Sequence, residues 1–328
     1  MRDIHHPYDF FDYVRVIGSA PPPESNRIDV AVLDMNHSWP NVGHDAVVHS
    51  VLEIAEGWRD ALVAAGTKVR VLSFDVRRQL LLPQPPNGRF HLYLATGGPG
   101  HLDPRANDGV AEWSQGITED PAWERPLFRL FDDIAANREA ALIGICHSFG
   151  LMCRWSGAAR PEMRGEKSSG IPANILSDTG VRHPWFSRFS RELPDGRHFR
   201  VVDNRLFDLI LTESCDATCL SFDNDNSRAV TMIEFARDAG GTMPRIFGMN
   251  HHPEIIDREH VLAVLEEKRT HREVSDRWYR ERAATMSDLL EGENERQSRL
   301  TSEYTLLQPL RHHLQRIVSD RLEVLSAR

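Results

Sequence analysis

Cysteine is scarce in this sequence, positive charge does not predominate, and no apolar run is long. The 328 residues include four cysteines, too few for a disulfide framework in a chain of this length. A formal net charge of −9 excludes a basic surface over the whole chain, so we expect no binding to nucleic acid. No segment approaches the roughly 20 apolar residues that a membrane helix needs. We therefore expect no membrane span.

The spacing of the cysteines argues against a structural zinc site. Cys146, Cys153, Cys215 and Cys219 do not form the C-x-x-C pairs that such sites use. We interpret Cys215 and Cys219 as packing residues, and we expect neither a metal nor a cofactor. The N-terminal segment MRDIHHPYDFFDYVRV lacks the apolar core of a signal peptide. Its composition favours a cytoplasmic location.

Changes in composition divide the chain into three parts. Residues 1–27 form a predicted N-terminal arm that ends in APPPESNR, where consecutive prolines prevent a helix. Residues 28–257 form the predicted main domain, and residues 258–328 form a helical extension rich in Glu, Arg and Leu. The sequence leaves open whether the arm packs on the domain or on a partner. It also leaves open whether the extension packs on the core or provides a dimer or partner surface.

Within the main domain, short apolar runs alternate with helical periodicity. The runs IDVAVLDM, KVRVLSFDV, FHLYLATGG and AALIGIC predict strands, and residues 45–66 predict a helix between the first two. This alternation predicts an α/β fold with a mostly parallel central sheet flanked by helices, and it places active residues at the carboxyl ends of the strands. Further strand candidates between residues 199 and 247 would extend the core as a mixed sheet.

Cys146 lies in GICHSFG, between a predicted strand and a predicted helix. A turn of this kind exposes the side chain, and the helix N-terminus stabilises negative charge on it. A thiol also needs a base, which HPE supplies at His252, while Glu254 lies two residues later on the same side of an extended segment. Acyl transfer further needs donors for an oxyanion, and the glycine turn TGGPG can provide backbone N–H groups.

The blocks GGPG, GICHSFG and GMNHHPEI, in this order, resemble those of class I glutamine amidotransferase domains. That family usually has GGPG, G-x-C-x-G-x-Q and G-V-Q-F-H-P-E. HPWF and RGEKSSG resemble further segments, and the resemblance covers residues 27–257. It implies a flavodoxin-like three-layer fold with Cys146 as nucleophile, His252 as base and Glu254 as the acid that orients it. It does not extend to the arm or to the C-terminal helices.

Backbone N–H groups of Gly98 and His147 are predicted to form the oxyanion hole. A cysteine followed by a histidine also occurs in a related group of this fold, where that histidine is an alternative base; the distant HPE block fits the amidotransferase arrangement better. The positions predicted to contact substrate are Gly97, Pro99, Gly100, Ser148 and Gly150.

The sequence departs from the family pattern beside both catalytic blocks. Ser148 and Gly150 replace the glycine and glutamine of the elbow, and Asn250 and His251 replace glutamine and phenylalanine before HPE. The lost glutamine side chain holds substrate glutamine in the family. The resemblance thus implies retained chemistry with an altered substrate.

Three functions remain open at this point. The chain could cleave glutamine through a cysteine thioester and pass ammonia to a separate acceptor enzyme, docked through the C-terminal helices. It could instead be a stand-alone γ-glutamyl amide hydrolase that releases an amine from another small-molecule amide. The third alternative is a non-catalytic scaffold that keeps the fold and uses its helices to bind partners or to form a homodimer.

Overall fold

The structure is a computed structural model that describes residues 3–213 and 216–326. Cys215 lies outside the described residues. The strands are β1 (Phe11–Arg15), β2 (Arg27–Asp34), β3 (Lys68–Asp75), β4 (Phe90–Ala95), β5 (Ala141–Ile145), β6 (Ala159–Gly170), β7 (Ala173–Leu176), β8 (His198–Arg200), β9 (Asp203–Leu211), β10 (Thr218–Asp223), β11 (Val230–Arg237) and β12 (Pro244–Met249). The helices are α1 (Gly43–Glu56), α2 (Arg59–Ala64), α3 (Val76–Gln79), α4 (Glu124–Ala136), α5 (His147–Ser156), α6 (Asp178–Arg182), α7 (Phe186–Glu192), α8 (Arg258–Thr270), α9 (Asp276–Leu289), α10 (Glu293–Ser302) and α11 (Gln308–Ser326), with a π-helical segment at Glu303–Leu307.

A ten-stranded sheet forms the centre of the molecule, in the order β1-β3-β2-β4-β5-β12-β11-β10-β7-β8. The strands from β1 to β12 in this order are parallel, and the remaining strands pair antiparallel. The predicted α/β fold with a mostly parallel sheet is confirmed. β6 and β9 pair antiparallel as a separate two-stranded sheet.

Helices cover both faces of the sheet because successive side chains of the central strands point to opposite sides. Val30 and Val32 of β2 pack with α1 and with the C-terminal helix α11. Ala31 and Leu33 of the same strand pack with α4 and α5 on the other face. Since β2 is buried on both faces, its sequence is a continuous apolar run rather than an alternating one.

The first strand lies in the segment that the sequence identified as an arm. Phe11 pairs with Val69 of β3, and the parallel register continues to Arg15 opposite Ser73, so that β1 forms one edge of the central sheet. Phe10 and Phe11 are fully buried. This segment therefore packs on the domain.

The predicted helix over residues 45–66 is two helices, α1 and α2. The break falls at Gly57 and Trp58, where the N–H of Gly57 donates to the carbonyl of Ile54 in a tight turn. Glycine lowers helix propensity by about 1 kcal/mol relative to alanine, which favours a break at this position.

The C-terminal helices pack against the core. Leu306, Leu310 and Leu314 are fully buried against the central sheet. α8 and α9 form a smaller cluster in which Val261 and Leu265 are buried and Trp278 and Met286 are partly buried. Among the residues that the structure describes, no helix has both the length and the apolar character that crossing a bilayer requires.

Candidate active site

Cys146 occupies the turn between β5 and α5 in an unusual backbone conformation. Its φ is 50° and its ψ is −106°, a sparsely populated region for a residue with a Cβ. Two hydrogen bonds hold it there: its N–H donates to the carbonyl of Met249 at 2.7 Å, and its carbonyl accepts from the N–H of Gly150 at 3.0 Å. The surrounding structure thus fixes the thiol at the carboxyl edge of the sheet. Backbone strain of this kind is concentrated at functional sites.

The sheet brings His252 beside Cys146. β12 and β5 are parallel neighbours, with Met249 opposite Ile145, so the residues that follow the two strands meet at the same edge. The N–H of His252 donates to the carbonyl of Val202 at 2.8 Å, which fixes the backbone after β12. His252 and Cys146 line the same cleft.

Glu254 orients the His252 ring. Nδ1 of His252 lies 2.8 Å from Oε1 of Glu254. Because a carboxylate only accepts hydrogen bonds, Nδ1 carries the proton and Nε2 is the nitrogen that remains for Cys146. The Glu254 side chain is 1% exposed, whereas that of His252 is 17% exposed at the floor of a cleft.

The charged form of His252 is favoured. Burial by itself lowers the pKa, but the negative charges of Glu254 and Cys146, with the hydrogen bonds to both, raise the pKa of His252 well above its ordinary value. An imidazolium at this position can donate a proton to a leaving amine.

The first residue of α1 lies against Glu254. A Cβ added to Gly43 would be 2.6 Å from Oε1 of Glu254, so the carboxylate lies close to the backbone at the N-terminus of a 14-residue helix. The positive end of the helix dipole stabilises an anion there. The second carboxylate oxygen, Oε2, is buried and has no hydrogen-bond partner in the described residues.

The glycine turn 97–100 packs closely on the catalytic pair. A Cβ added to Gly97 would lie 3.0 Å from Cε1 of His252 and 3.4 Å from Cβ of Cys146. A Cβ added to Gly98 would lie 2.2 Å from the carbonyl oxygen of Met35. Position 98 therefore requires glycine, whereas a side chain at position 97 would displace its neighbours by a few tenths of an ångström. The role of Gly98 as an oxyanion donor stays a prediction.

A buried ion pair supports this turn from behind. Arg77 and Glu119 are fully buried and form two hydrogen bonds, of 2.7 and 2.9 Å. Nη1 of Arg77 also donates to the carbonyls of Met35 and Pro99, at 2.9 and 2.7 Å. No motif in the sequence singles out Arg77 or Glu119.

The other predicted residues fall into two groups: those that line the cleft or the adjoining cavity, and those that are buried in the core. Pro99 lines the cleft above Cys146, and Gly100 lines a smaller adjoining cavity together with His147. Ser148 is buried and donates its hydroxyl to the carbonyl of Thr96 at 2.6 Å. A Cβ at Gly150 would lie 2.5 Å from the Leu102 side chain. The structure thus places Ser148 and Gly150 in the core beneath the elbow.

His147 and His251 are buried histidines on either side of the catalytic pair. Burial lowers the pKa of both, that of His251 to about 3, so both rings are neutral near pH 7. His251 packs edge-on against Phe199. The ring nitrogens of His251 and Nε2 of His147 have no hydrogen-bond partner among the described residues.

The cleft above Cys146 has a volume of about 260 Å³. Its walls include residues that the sequence analysis did not assign to the site: Asn36, Trp39 and Asn41 before α1, Gln115, Lys167 of β6, Asn204 of β9, and Trp278, Arg282 and Met286 of α9. The three α9 residues are spaced four apart, which places them on one face of the helix. The spacing alone does not show what that face contacts.

One group of side chains has ligand atoms near enough for a metal ion. In the described residues, ligand atoms of His5, Glu267 and His271 lie within 4.8 Å of one another. Glu267 is hydrogen-bonded to His49, and His271 to Asp3, at 2.9 Å in each case. This group joins the N-terminal segment to α8, and its members do not line the Cys146 cleft.

Comparison of the sequence with protein-family models and with curated proteins finds no match. Solved structures do match. A glutamine amidotransferase from Thermotoga maritima is 14% identical, with a TM-score of 0.53, over 89% of this chain and 98% of that chain. A glutamine amido transferase from Methylobacillus flagellatus is 14% identical over 73% of this chain and 74% of that chain, with a TM-score of 0.42.

The first of these structures aligns over most of both chains. At this sequence identity the match concerns the fold and not the reaction. The chain has the fold of a glutamine amidotransferase.

Proposed function

We propose that the chain is a cysteine-dependent enzyme that cleaves glutamine or a γ-glutamyl amide through a thioester on Cys146. The observation that supports this most strongly is the assembly of Cys146, His252 and Glu254 in one cleft, with Nδ1 of His252 2.8 Å from Oε1 of Glu254. A nucleophile, a base and a group that orients the base are the components of amide cleavage by this route.

In the first half of the reaction, the Cys146 sulfur attacks the amide carbonyl carbon and forms a tetrahedral oxyanion. Backbone N–H groups of Gly98 and His147 are the proposed donors to that oxygen. The C–N bond then breaks, and His252 gives its proton to the leaving nitrogen. Ammonia or an amine departs, and the acyl group remains on sulfur as a thioester.

In the second half, water attacks the thioester while His252 accepts a proton from that water. The C–S bond breaks, the carboxylic acid leaves, and the starting enzyme is restored. Glu254 keeps Nδ1 of His252 protonated in both halves, so that Nε2 performs each transfer. Each step uses only groups of the chain, the amide and water.

A stand-alone hydrolase is the version of this function that the cleft supports best. Trp278, Arg282 and Met286 of the C-terminal extension line the cleft, so one helix of the extension contributes to the substrate site itself. Delivery of ammonia to a separate acceptor enzyme in the cytoplasm is the alternative. The two versions differ in substrate and in the need for a partner.

The test is to incubate the protein with glutamine and with a panel of γ-glutamyl amides, and to measure ammonia, amine and glutamate. We expect cleavage of at least one amide by the protein alone, and loss of that activity in Cys146→Ala. Cys219→Ala is the matched control, because Cys219 lies in β10, away from the cleft. Cleavage by Cys146→Ala, or no cleavage of any amide with or without partner proteins, would contradict the proposal and favour a scaffold.

A further inference from the structure

One face of α9 forms a wall of the Cys146 cleft. Trp278, Arg282 and Met286 lie four residues apart and line the cavity, whereas Arg277, Arg280 and Glu281 on the other side are exposed to solvent. The helix is held in place by α8, through the apolar cluster that includes Tyr279 and Leu265. This wall belongs to the extension that the resemblance did not cover.

The side chains that line the cleft offer a ligand more positive charge than negative charge. Lys167 and Arg282 both line it, and within residues 3–213 and 216–326 neither side chain forms an ion pair. Glu254 is the single acid among the described lining residues, and its charge is paired with His252. Arg282 is half-buried and Lys167 is exposed at the edge of the cleft, and two unpaired cations placed in this way attract an anionic substrate.

Aromatic and polar groups complete the subsite. The Arg282 guanidinium lies 5.6 Å from the centre of the Trp278 ring, a cation–π distance that holds it over the indole. Trp39 supplies a second indole to the cleft. Asn36 is 3% exposed, and its Oδ1 has no hydrogen-bond partner in the part of the chain that the structure describes.

One hydrogen bond fixes the orientation of the Asn36 amide. Its Nδ2 donates to Oδ1 of Asp34 at 2.7 Å, and this bond fixes which end of the amide is the oxygen. An unpaired buried acceptor is destabilising, and a substrate N–H group that reached it would satisfy it. The lining thus combines two cations, two indoles and an unfilled acceptor.

From these contacts we infer that α9, together with Lys167 and Asn36, forms a substrate subsite selective for an amide that carries a carboxylate next to an apolar portion. This inference depends on the proposed function, since it names the class of amide that reaches Cys146. The carboxylate is bound by Lys167 and Arg282, the apolar portion lies against Trp39 and Trp278, and an N–H group donates to Asn36.

The experiment uses two cysteine reagents of nearly equal size that differ in charge, iodoacetylglycine and iodoacetylglycinamide. In each case the Cys146 sulfur displaces iodide and forms a thioether, so no turnover is needed. The second-order rate constant for Cys146 is measured by peptide mass spectrometry at low salt. The quantity compared is the ratio of the rate for the carboxylate reagent to the rate for the amide reagent.

We expect this ratio to fall at least threefold in Arg282→Gln and in Lys167→Gln, and further in the double variant. The ratio of the unmodified chain should also fall as salt rises from 20 to 500 mM, because salt screens interactions between charges. Arg280→Gln is the matched control: it removes a positive charge from the exposed face of the same helix, and its ratio should equal that of the unmodified chain.

An unchanged ratio in the double variant, with Cys146 still labelled by the amide reagent, would overturn the inference while leaving the proposed nucleophile intact. Failure of both reagents to label Cys146 in the unmodified chain would instead count against the proposed function. The two failures are therefore distinguishable. Circular dichroism of each variant checks that α9 still forms.

Discussion

Nδ1 of His252 lies 2.8 Å from Oε1 of Glu254, and that carboxylate is almost completely buried beside the first residue of α1. The contact fixes the tautomer of His252 and directs its other nitrogen to Cys146. Because Gly43 has no side chain, the helix N-terminus can approach the carboxylate closely. The following predictions start from this pair.

Replacement of Glu254 by Gln should lower the pKa of His252. The negative charge of Glu254 favours the imidazolium form of His252. Without that charge, the ring loses its proton at a lower pH. NMR titration of the His252 ring measures the shift, with Glu259→Gln as the control because Glu259 is exposed at the start of α8. An unchanged His252 pKa in Glu254→Gln would show that the contact does not govern its charge.

The interaction of His252 with Glu254 also makes the stability of the protein depend on pH. Since folding raises the pKa of His252, the charged pair contributes stability below the ordinary histidine pKa of about 6.5 and loses that contribution as pH rises through the higher folded value. The difference in unfolding free energy between the unmodified chain and Glu254→Gln should therefore shrink at alkaline pH. Urea unfolding at several pH values measures it, and a growing difference would contradict the assignment.

Gly97→Ala should reduce activity with little loss of stability. The added methyl would lie 3.0 Å from the His252 ring, closer than ordinary contacts, so the ring must move by a few tenths of an ångström. Since a misplacement of about 1 Å can cost about 100-fold in rate, we expect a loss of a few-fold to about tenfold. The measurement is kcat/KM on any amide that the protein cleaves. Gly165→Ala is the control, since a Cβ there meets no atom within 4 Å; equal kcat/KM values for the two variants would refute this prediction.

Arg77→Met should destabilise the protein by about 3 to 5 kcal/mol, because it leaves the fully buried Glu119 without its partner. The added substitution Glu119→Gln should recover part of this loss, since it removes the unpaired charge. Chemical unfolding measures both variants. Arg129→Met, an exposed site on α4, should change the free energy of unfolding by no more than about 0.5 kcal/mol. A similarly small effect at Arg77 would contradict a supporting role for the ion pair.

Leu310→Ala should lower stability by about 2 to 5 kcal/mol, because Leu310 is fully buried between α11 and the central sheet. Val324→Ala on the same helix removes an apolar side chain that is 48% exposed and should have little effect. Thermal unfolding compares the two. If Leu310→Ala had the same melting temperature as Val324→Ala, α11 would not be part of the folding core.

The sequence predicted the sheet and the elbow because both produce local patterns. Apolar runs alternating with helical periodicity indicate buried parallel strands, and a cysteine that directly follows such a run and precedes a helix is expected at the carboxyl end of a strand. The position of Glu254 beside His252 was predictable for the same reason, since residues that are two apart in an extended segment project to the same side. These features can be predicted without knowing which distant segments of the chain are in contact.

Other features depend on contacts between segments far apart in the chain. The edge strand β1 is short and follows a histidine-rich stretch, and its pairing with β3 is visible only in three dimensions. The periodicity of Trp278, Arg282 and Met286 predicts a shared helix face. The packing of α9 against α8 places that face at the cleft. Ser148 and Gly150 lie in a sequence motif for substrate binding, yet the first turn of α5 directs them into the core.

The most direct test of the central claim is the rate at which iodoacetamide alkylates Cys146 at pH 6.5 in the unmodified chain and in His252→Ala. If His252 activates the thiol, Cys146 of the unmodified chain should react at least tenfold faster than Cys146 of the variant, and faster than Cys219 in the same molecule. Peptide mass spectrometry separates the two cysteines. Equal rates for Cys146 in the two proteins would contradict the claim that His252 and Cys146 form a catalytic pair.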